Sequence, residues 1–264
     1  MAAGNMMSPL AERMRPHTLE EFIGQKHLVS PGSLLTRAIK TDKLGSCIFF
    51  GPPGTGKTTL ASIIAESTHG AFAKMNAVSS GVADAKKLID EARDRLKMYG
   101  KRTYLLLDEC HRWNKAQSDC VLSAVEDGSI IFIGSTTENP YVSMTNAIVS
   151  RCRVFELKPL TDDEVKEGLR RAITDKKNGY GNLKLNVTDE AVDHFAWAAS
   201  GDLRSAYGSL ELAVLSTPPG PDGSITIDGK TAEQSAQKKM LTVDETLYYD
   251  MLSAFCKSLR GSDS

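Results

Sequence analysis

The stretch that decides the fold of this 264-residue chain is Gly51-Pro52-Pro53-Gly54-Thr55-Gly56-Lys57-Thr58. It matches G-x-x-x-x-G-K-[S/T], the pattern of a glycine-rich loop that holds nucleotide phosphates between a strand and a helix. Residues 47–50 form a short apolar run that predicts a buried strand, and the apolar residues of 59–65 recur at helical spacing. The alternative is a glycine-rich turn with a chance Lys-Thr after it. Because a strand and a helix flank the loop, the sequence favours phosphate binding.

The chemistry of the loop follows from its backbone and from two side chains. Glycines let successive N–H groups turn towards a polyphosphate, and the N-terminus of the following helix adds a favourable dipole. Lys57 is expected to reach the β- and γ-phosphates, and the hydroxyl of Thr58 to complete the shell of a Mg²⁺ ion. The nucleotide-binding residues predicted here are Gly51, Pro52, Pro53, Gly54, Thr55, Gly56, Lys57, Thr58 and Thr59.

A second decisive element is an acidic pair, Asp108-Glu109, directly after the apolar run 103–107. The carboxyl end of a parallel strand faces the crevice in which an α/β sheet binds its ligand. Asp108 is expected to hold the Mg²⁺ shell, and Glu109 to orient and deprotonate the attacking water. Alone, such a pair is a weak signal, since acidic residues also begin many helices. Together with the phosphate loop, it predicts hydrolysis of the nucleotide rather than binding alone.

The remaining periodicity predicts an α/β fold with a helical second part. Five apolar runs predict the strands of a parallel sheet: 47–50, 71–76, 103–107, 130–134 and 154–157. Helices are predicted at 34–43, 84–99 and 116–126, and the second of these has Ala85, Leu88, Ile89, Ala92, Leu96 and Tyr99 on one face. Beyond residue 160 the pattern predicts three further helices, beginning near Thr161, Val187 and Leu203, and a short strand at 225–227. We expect a core at residues 1–158 and a small helical lid at 159–245.

Two polar stretches allow two interpretations each. Residues 84–102 carry more basic than acidic side chains, which indicates either a solvated helix face or a contact with DNA phosphates in the channel of an oligomer. The stretch 135–140, Ser-Thr-Thr-Glu-Asn-Pro, follows a predicted strand. Its side chains could touch the γ-phosphate or the attacking water, or could form an ordinary turn before proline.

Composition limits the class of protein. The net charge is −1 and the pI is near 6.5, so the chain has no global basic footprint for nucleic acid. Its five cysteines are scattered and never spaced C-x-x-C, which favours reduced thiols over a zinc site. No signal peptide and no apolar run of membrane-spanning length is visible. We therefore expect a cytoplasmic protein without a membrane partner.

Several of these motifs together resemble the AAA+ ATPases of the clamp-loader group. They are the phosphate loop, Asp108-Glu109, Ser150-Arg151-Cys152 and Gly201-Asp202-Leu203-Arg204. Within that group, further motifs are similar to the replication-associated recombination protein A family, whose eukaryotic relative is the Werner-helicase-interacting ATPase. These are Pro9-Leu10-Ala11, Arg13-Met14-Arg15-Pro16, His111-Arg112, Asn114-Lys115 and the run 133–140. The resemblance extends from about Ser8 to the end of the chain.

The resemblance implies roles for residues that the patterns alone leave open. Arg15, Pro16 and Ile23 match the segment that cradles adenine in the family. The cofactors that the resemblance implies are ATP and Mg²⁺. Thr137 matches the sensor at the strand end, with Asn139 as a second candidate. Arg151 matches an arginine finger that serves the neighbouring subunit's ATP, and Arg204 matches a lid arginine that touches the γ-phosphate of its own subunit. Residue type alone favours a surface arginine at a strand start for Arg151 and an ordinary helix-opening charge for Arg204, since exposed arginine is the rule.

The family also implies a function and a missing part. The implied function is DNA-linked ATP hydrolysis at stalled forks, single-strand gaps or DNA ends, with single-strand-binding protein as a possible partner. The alternative is a nucleotide-dependent scaffold, or clamp-loader-like subunit, with little turnover. A protein-remodelling machine is not supported, because an aromatic-glycine pore loop is missing from the sequence. Family members form homo-oligomers through a C-terminal tetramerisation domain, of which residues 246–264 resemble the first helix. This chain is accordingly expected to be monomeric or weakly associating.

Two residues depart from the family pattern. Trp113 stands where phenylalanine is usual, which is expected to change packing rather than chemistry. Leu203 is bulkier than the small residue usual in the Gly-Asp-x-Arg motif, which leaves the angle of the lid open.

Overall fold

The computed structural model describes residues 8–236, and its centre is a five-stranded sheet in which all strands run parallel. The strands are β1 (Cys47–Phe50), β2 (Ala71–Asn76), β3 (Thr103–Asp108), β4 (Ile130–Thr136) and β5 (Arg153–Glu156). Their order across the sheet is β2-β3-β4-β1-β5. The predicted α/β class, the number of strands and their parallel direction are therefore confirmed.

Helices cover both faces of the sheet, so its central strands β1, β3 and β4 are buried along nearly their whole length. The larger ones are α3 (Leu34–Lys40), α4 (Lys57–Ser67), α5 (Val82–Tyr99) and α6 (Lys115–Glu126). Side chains alternate between the faces. Leu106 packs in one cluster with residues of α3 and α4, whereas Leu105 and Leu107 pack with residues of α5 and α6. This arrangement fixes the carboxyl ends of β1, β3 and β4 along one edge.

Two of the predicted helices have different bounds in the structure. The helix predicted at 34–43 ends at Lys40, where Thr41 caps it. The helix predicted at 84–99 begins two residues earlier, and its Gly100 adopts the left-handed conformation that ends it. Tyr99 was expected on the buried face but is 72% exposed, and it is the last residue of the helix, next to Gly100.

The chain before β1 connects the core to the second part of the molecule. It contains two short helices, α1 (Leu10–Arg13) and α2 (Lys26–Val29). Leu10 and Met14 are buried in the apolar cluster of the lid helices. The side-chain amide of Gln25 donates to the carbonyl of Lys158 at 2.6 Å and accepts from its N–H at 3.0 Å. The N-terminal segment therefore contacts the lid and the junction after β5.

The lid is a small helical unit, as predicted. Its helices are α9 (Asp162–Thr174), α10 (Asp189–Ala199), α11 (Leu203–Ser216) and α12 (Gly229–Ser235), preceded in the core by the short α7 (Pro140–Ser143) and α8 (Asn146–Val149). Side chains of Thr161, Thr188 and Asp202 cap the first three. The lid also holds a parallel pair of strands, β6 (Leu185–Val187) and β7 (Ile225–Ile227), of which only β7 was predicted.

Residues 237–264 lie outside the described part of the chain, including the predicted lid end at 245 and the segment 246–264. Within residues 8–236, none of the helices combines the length and the apolar character needed to span a bilayer.

Candidate active site

The phosphate loop connects β1 to α4 and needs glycine where other chain segments approach it. Gly51 has a φ of +148°, and a Cβ there would overlap the carbonyl oxygen of Leu157 after β5. Gly54 has a φ of +72°, and a Cβ there would overlap the carboxylate of Asp202, the residue that caps α11. The lid therefore touches the loop, and the contact fits only when residue 54 has no side chain.

Lys57 is folded back into the loop. Its Nζ donates hydrogen bonds of 2.7 Å to the carbonyl oxygens of Gly51 and Pro52. Burial lowers the pKa of Lys57 to about 8, and the carboxylates of Glu109 and Asp108 oppose this shift. A buried ammonium whose partners are neutral carbonyls gains when an anion replaces them. The geometry thus suits a lysine that turns towards a phosphate.

Thr58 and Asp108 form a pair of oxygen donors at the mouth of the loop. The Thr58 hydroxyl donates to Oδ1 of Asp108 at 3.3 Å. Ser135, the penultimate residue of β4, also donates to that oxygen and is 1% exposed. Adjacent oxygen ligands of an octahedral Mg²⁺ at 2.0–2.1 Å lie about 3 Å apart. The predicted metal ligands are therefore close enough together to share one ion, and the hydrogen bond from Ser135 holds the carboxylate in place.

Glu109 lies just beyond β3 in a left-handed backbone conformation, with a φ of 55°. It precedes a single 3-10 turn, Cys110–Arg112. Its Oε2 lies 3.5 Å from Nε2 of His111. A non-glycine residue in this conformation costs roughly 1–3 kcal/mol and is found disproportionately at functional sites. The turn keeps Glu109 at the carboxyl edge of the sheet, beside Asp108.

A cleft of about 580 Å³ lies between the phosphate loop, the carboxyl ends of β3 and β4, the N-terminal segment and α11. Most of the predicted site residues line it: Arg15, Pro16, Ile23, Pro53, Gly54, Thr55, Gly56, Lys57, Thr58, Thr59, Asp108, Glu109, Thr137 and Arg204. Arg204 comes from the lid, and its positive charge contributes to lowering the pKa of Lys57. Residues from five separate parts of the sequence thus share one cleft.

Three predicted residues lie elsewhere. Gly51 and Pro52 are absent from the cleft lining and instead provide the carbonyls that hold Lys57. Arg151 lines a different cleft, next to Lys43 and Arg153, and forms an ion pair with Glu126 at 2.5 Å. Arg151 is therefore not among the residues that line the cleft of the phosphate loop.

The two candidates for the sensor differ in their surroundings. Thr137 faces the cleft. The side chain of Asn139 accepts from the N–H of Tyr141 at 3.0 Å and caps α7. Turn chemistry accounts for Asn139, and Thr137 is the one of the two that can meet a nucleotide.

Some cleft residues were not predicted from the sequence. Phe22 contacts Gly56 so closely that a Cβ at Gly56 would overlap its ring. Tyr207, Gly208 and Glu211 of α11 also line the cleft. They follow Arg204 at intervals of three, four and seven residues, which is the spacing of one helix face. That spacing was a usable signal, whereas nothing local to Phe22 indicates its contact with the loop.

Two family models and several curated proteins match this chain. Residues 14–147 match the family described as Holliday junction DNA helicase RuvB P-loop domain, and residues 181–260 match the AAA C-terminal domain. Replication-associated recombination protein A of Bacillus subtilis (strain 168) is 46% identical over 260 residues, which cover 98% of this chain and 61% of that protein. ATPase WRNIP1 of Dictyostelium discoideum is 36% identical over 274 residues, covering 97% of this chain and 31% of that protein.

The fold has relatives among solved structures. The Thermotoga maritima RuvB Holliday junction branch migration motor has a TM-score of 0.65 and 25% identity, over 84% of this chain and 72% of that one. The chain spans about three fifths of the length of the Bacillus subtilis relative. Since the P-loop domain matches just over half of the chain and the relatives match nearly all of it, the chain belongs to the AAA+ ATPases, in the family of replication-associated recombination protein A.

Proposed function

We propose that this chain hydrolyses ATP in the cleft between the sheet and the lid, and that hydrolysis is linked to DNA during replication-fork maintenance, recombination and repair. The observation that carries the proposal is that Lys57, Asp108, Glu109 and Thr137 line one cleft with Arg204 of the lid. This set combines phosphate binding, metal binding and a carboxylate for water in one place, as hydrolysis requires.

Each residue then has a distinct task. Lys57 would exchange the carbonyls of Gly51 and Pro52 for the phosphates, and Thr58 with Asp108 would hold a Mg²⁺ ion. Glu109 orients the attacking water and accepts its proton, and Thr137 contacts the γ-phosphate or that water. Arg204 contacts the γ-phosphate and thereby links it to the lid. The metal supplies neutralisation of the phosphate charge.

The adenine end of the nucleotide lies against the N-terminal segment in this proposal. Arg15, Pro16 and Ile23 of that segment line the cleft together with the phosphate loop, and Phe22 packs against Gly56 of the loop. Apolar walls with a few polar groups are typical of a base pocket.

Arg151 acts on a neighbouring subunit in this account. It lies outside its own cleft and its side chain is 40% exposed, so it can reach another molecule. A finger arginine is worth about 10³–10⁵ in rate where GTPases use one. Hydrolysis is therefore predicted to require contact between copies of the chain.

The DNA half of the proposal is supported by α5 and by the relatives' names. Arg93 bonds Asp127 at 2.9 Å, and Arg95 bonds Thr103 at 2.7 Å, so these two have structural partners. The remaining cations of the segment are exposed: Lys86, Lys87, Lys97, Lys101 and Arg102. An exposed row of cations can follow a phosphate backbone. Of the two interpretations of this segment, contact with DNA is the one that we propose.

Domain limits follow from the same account. We assign residues 1–158 to the ATPase core, 159–245 to the lid and 246–264 to the start of a C-terminal oligomerisation domain. A protein working on forks and gaps in the cytoplasm would meet single-strand-binding protein there, which we include as a candidate partner.

The test is the ATPase rate per subunit as a function of protein concentration, with and without DNA that contains a single-strand gap, for wild type and Arg151→Ala. We expect a rate that climbs with concentration, rises with gapped DNA and collapses in the variant. A low rate that neither concentration, DNA nor the variant changes would favour the alternative, a nucleotide-dependent scaffold or clamp-loader-like subunit with little turnover.

A further inference from the structure

The imidazole of His111 lies between two carboxylates at the edge of the candidate active site. Its Nε2 is 3.5 Å from Oε2 of Glu109 and 3.4 Å from Oε1 of Glu138. Its Nδ1 is 2.8 Å from the hydroxyl oxygen of Thr136, the last residue of β4. The His111 side chain is 6% exposed, whereas the Glu138 side chain is 55% exposed. The histidine does not line the nucleotide cleft.

The surroundings determine which hydrogen bonds the ring can make. Two carboxylates accept only, so the ring must carry a proton on Nε2, whether or not Nδ1 also carries one. One N–H makes one well-aligned hydrogen bond, at 2.7–3.2 Å. Nε2 lies slightly beyond that range from both carboxylates. Glu109 and Glu138 therefore compete for a single donor.

The two competing carboxylates differ in exposure, at 36% for the Glu109 side chain and 55% for the Glu138 side chain. Thr136 is fully buried and fixes the ring from the sheet, and its hydroxyl oxygen also accepts from the N–H of Glu138 at 3.0 Å. The exposed carboxylate of Glu138 is free to turn to solvent. Glu138 directly follows Thr137, which faces the cleft. A shift of the chain at Thr137 therefore moves Glu138 relative to a stationary imidazole.

We propose that His111 is the positioning residue for Glu109, and that Glu138 is its competing acceptor. When Nε2–H bonds Glu109, the carboxylate points at the attacking water. When it bonds Glu138, Glu109 is released and turnover slows. This inference rests on the proposed role of Glu109 in hydrolysis, and it adds that the end of β4 controls that role through one hydrogen bond.

The test compares two substitutions that each keep one half of the ring's hydrogen bonding. In His111→Gln the side-chain amide reaches the position of Nε2, and in His111→Asn it reaches the position of Nδ1. Glu138→Gln removes the competing charge. His69→Gln, an exposed histidine in the turn after α4, is the matched control. For each full-length variant, kcat and KM for ATP, the Kd of a fluorescent ATP analogue and the thermal midpoint are measured, with Glu109→Gln as the reference.

We expect His111→Asn to lower kcat about 10–100-fold, since misplacing a catalytic group by about 1 Å has an effect of this size. His111→Gln should restore much of the loss, and Glu138→Gln should raise kcat severalfold. The Kd should stay within about twofold of wild type in all three, because none of these residues lines the cleft.

Two outcomes would overturn the inference. One is a kcat in His111→Asn equal to that of His69→Gln while Glu109→Gln is inactive. The other is a smaller loss in His111→Asn than in His111→Gln, which would assign His111 to support of Thr136 alone. Full turnover in Glu109→Gln would instead refute the role proposed for Glu109 itself, and the two failures are thereby distinguished.

Discussion

In the proposed role of Arg151 as a finger, its guanidinium leaves Glu126 before it reaches a neighbouring subunit, and this step can be measured. The guanidinium lies 2.5 Å from Oε1 of Glu126, the last residue of α6, and also donates to the carbonyl of Ala147 at 2.8 Å. Both side chains of the ion pair are partly exposed, at 40% and 48%. In the free subunit, this contact holds the proposed finger against its own surface. We predict that Glu126→Gln promotes the productive association of subunits.

The size of the effect follows from the exposure of the pair. Solvent-exposed ion pairs contribute about 0.2–1 kcal/mol. If association must break the pair, its removal lowers the protein concentration for half-maximal ATPase activity by a factor of about 1.4–5. The rate at saturating protein should not change, since Glu126 lines no part of the nucleotide cleft.

The assay is the ATPase rate per subunit over a series of protein concentrations at two ionic strengths. Asp119→Asn removes the same charge from an exposed position of the same helix and is the matched control. Salt weakens exposed ion pairs, so the difference between wild type and Glu126→Gln should shrink at about 1 M salt. A half-maximal concentration that is unchanged or higher in Glu126→Gln would refute the reasoning. An equal shift in Asp119→Asn would show an effect of net charge only.

Three further predictions concern the site and the lid. Ser135→Ala removes a buried hydrogen bond to Asp108, and the Mg²⁺ concentration for half-maximal ATPase should rise by roughly 10–100-fold in a metal titration. Gly54→Ala places a methyl group against Asp202 at a φ of +72°, and the free energy of unfolding in urea should fall by at least about 1 kcal/mol, with weaker ATP binding. Burial raises the pKa of Tyr207 to about 12, so its contribution to stability is complete below pH 10 and is lost as the pH rises to 12. Between pH 10 and pH 12, the free energy of unfolding should therefore fall by up to ~3 kcal/mol less in Tyr207→Phe than in wild type. An equal fall in both proteins would contradict the raised pKa of Tyr207.

Local patterns were sufficient for the centre of the fold. The apolar runs at β1 and β3 predict their strands because both faces of these strands are covered, and the loop and acid that follow them lie at the same edge. β6 was missed because Leu185-Asn186-Val187 contains one β-branched residue, whereas β7, which has the same length, consists of three. The partner strand β7 also begins 40 residues later in the sequence. The helical spacing after Arg204 shows that the cleft face of α11 was also accessible from the sequence.

Other parts of the site depend on contacts between distant segments. Arg15 and Arg151 could be singled out only through the family resemblance, since an arginine on its own indicates a surface charge. The contact of His111 with Glu138 depends on the left-handed turn at Glu109 and on the pairing of β3 with β4. Neither feature has a signature in a single sequence.

The central claim, that Glu109 activates water in a cleft where Lys57 binds ATP, is tested most directly by measuring binding and hydrolysis together in Glu109→Gln and Lys57→Ala. The account predicts that Glu109→Gln binds ATP within about twofold of wild type while its kcat falls about 10²–10⁴-fold. Lys57→Ala should lose binding itself. A Glu109→Gln variant that hydrolyses ATP at the wild-type rate, or a Lys57→Ala variant with wild-type affinity for ATP, would contradict it.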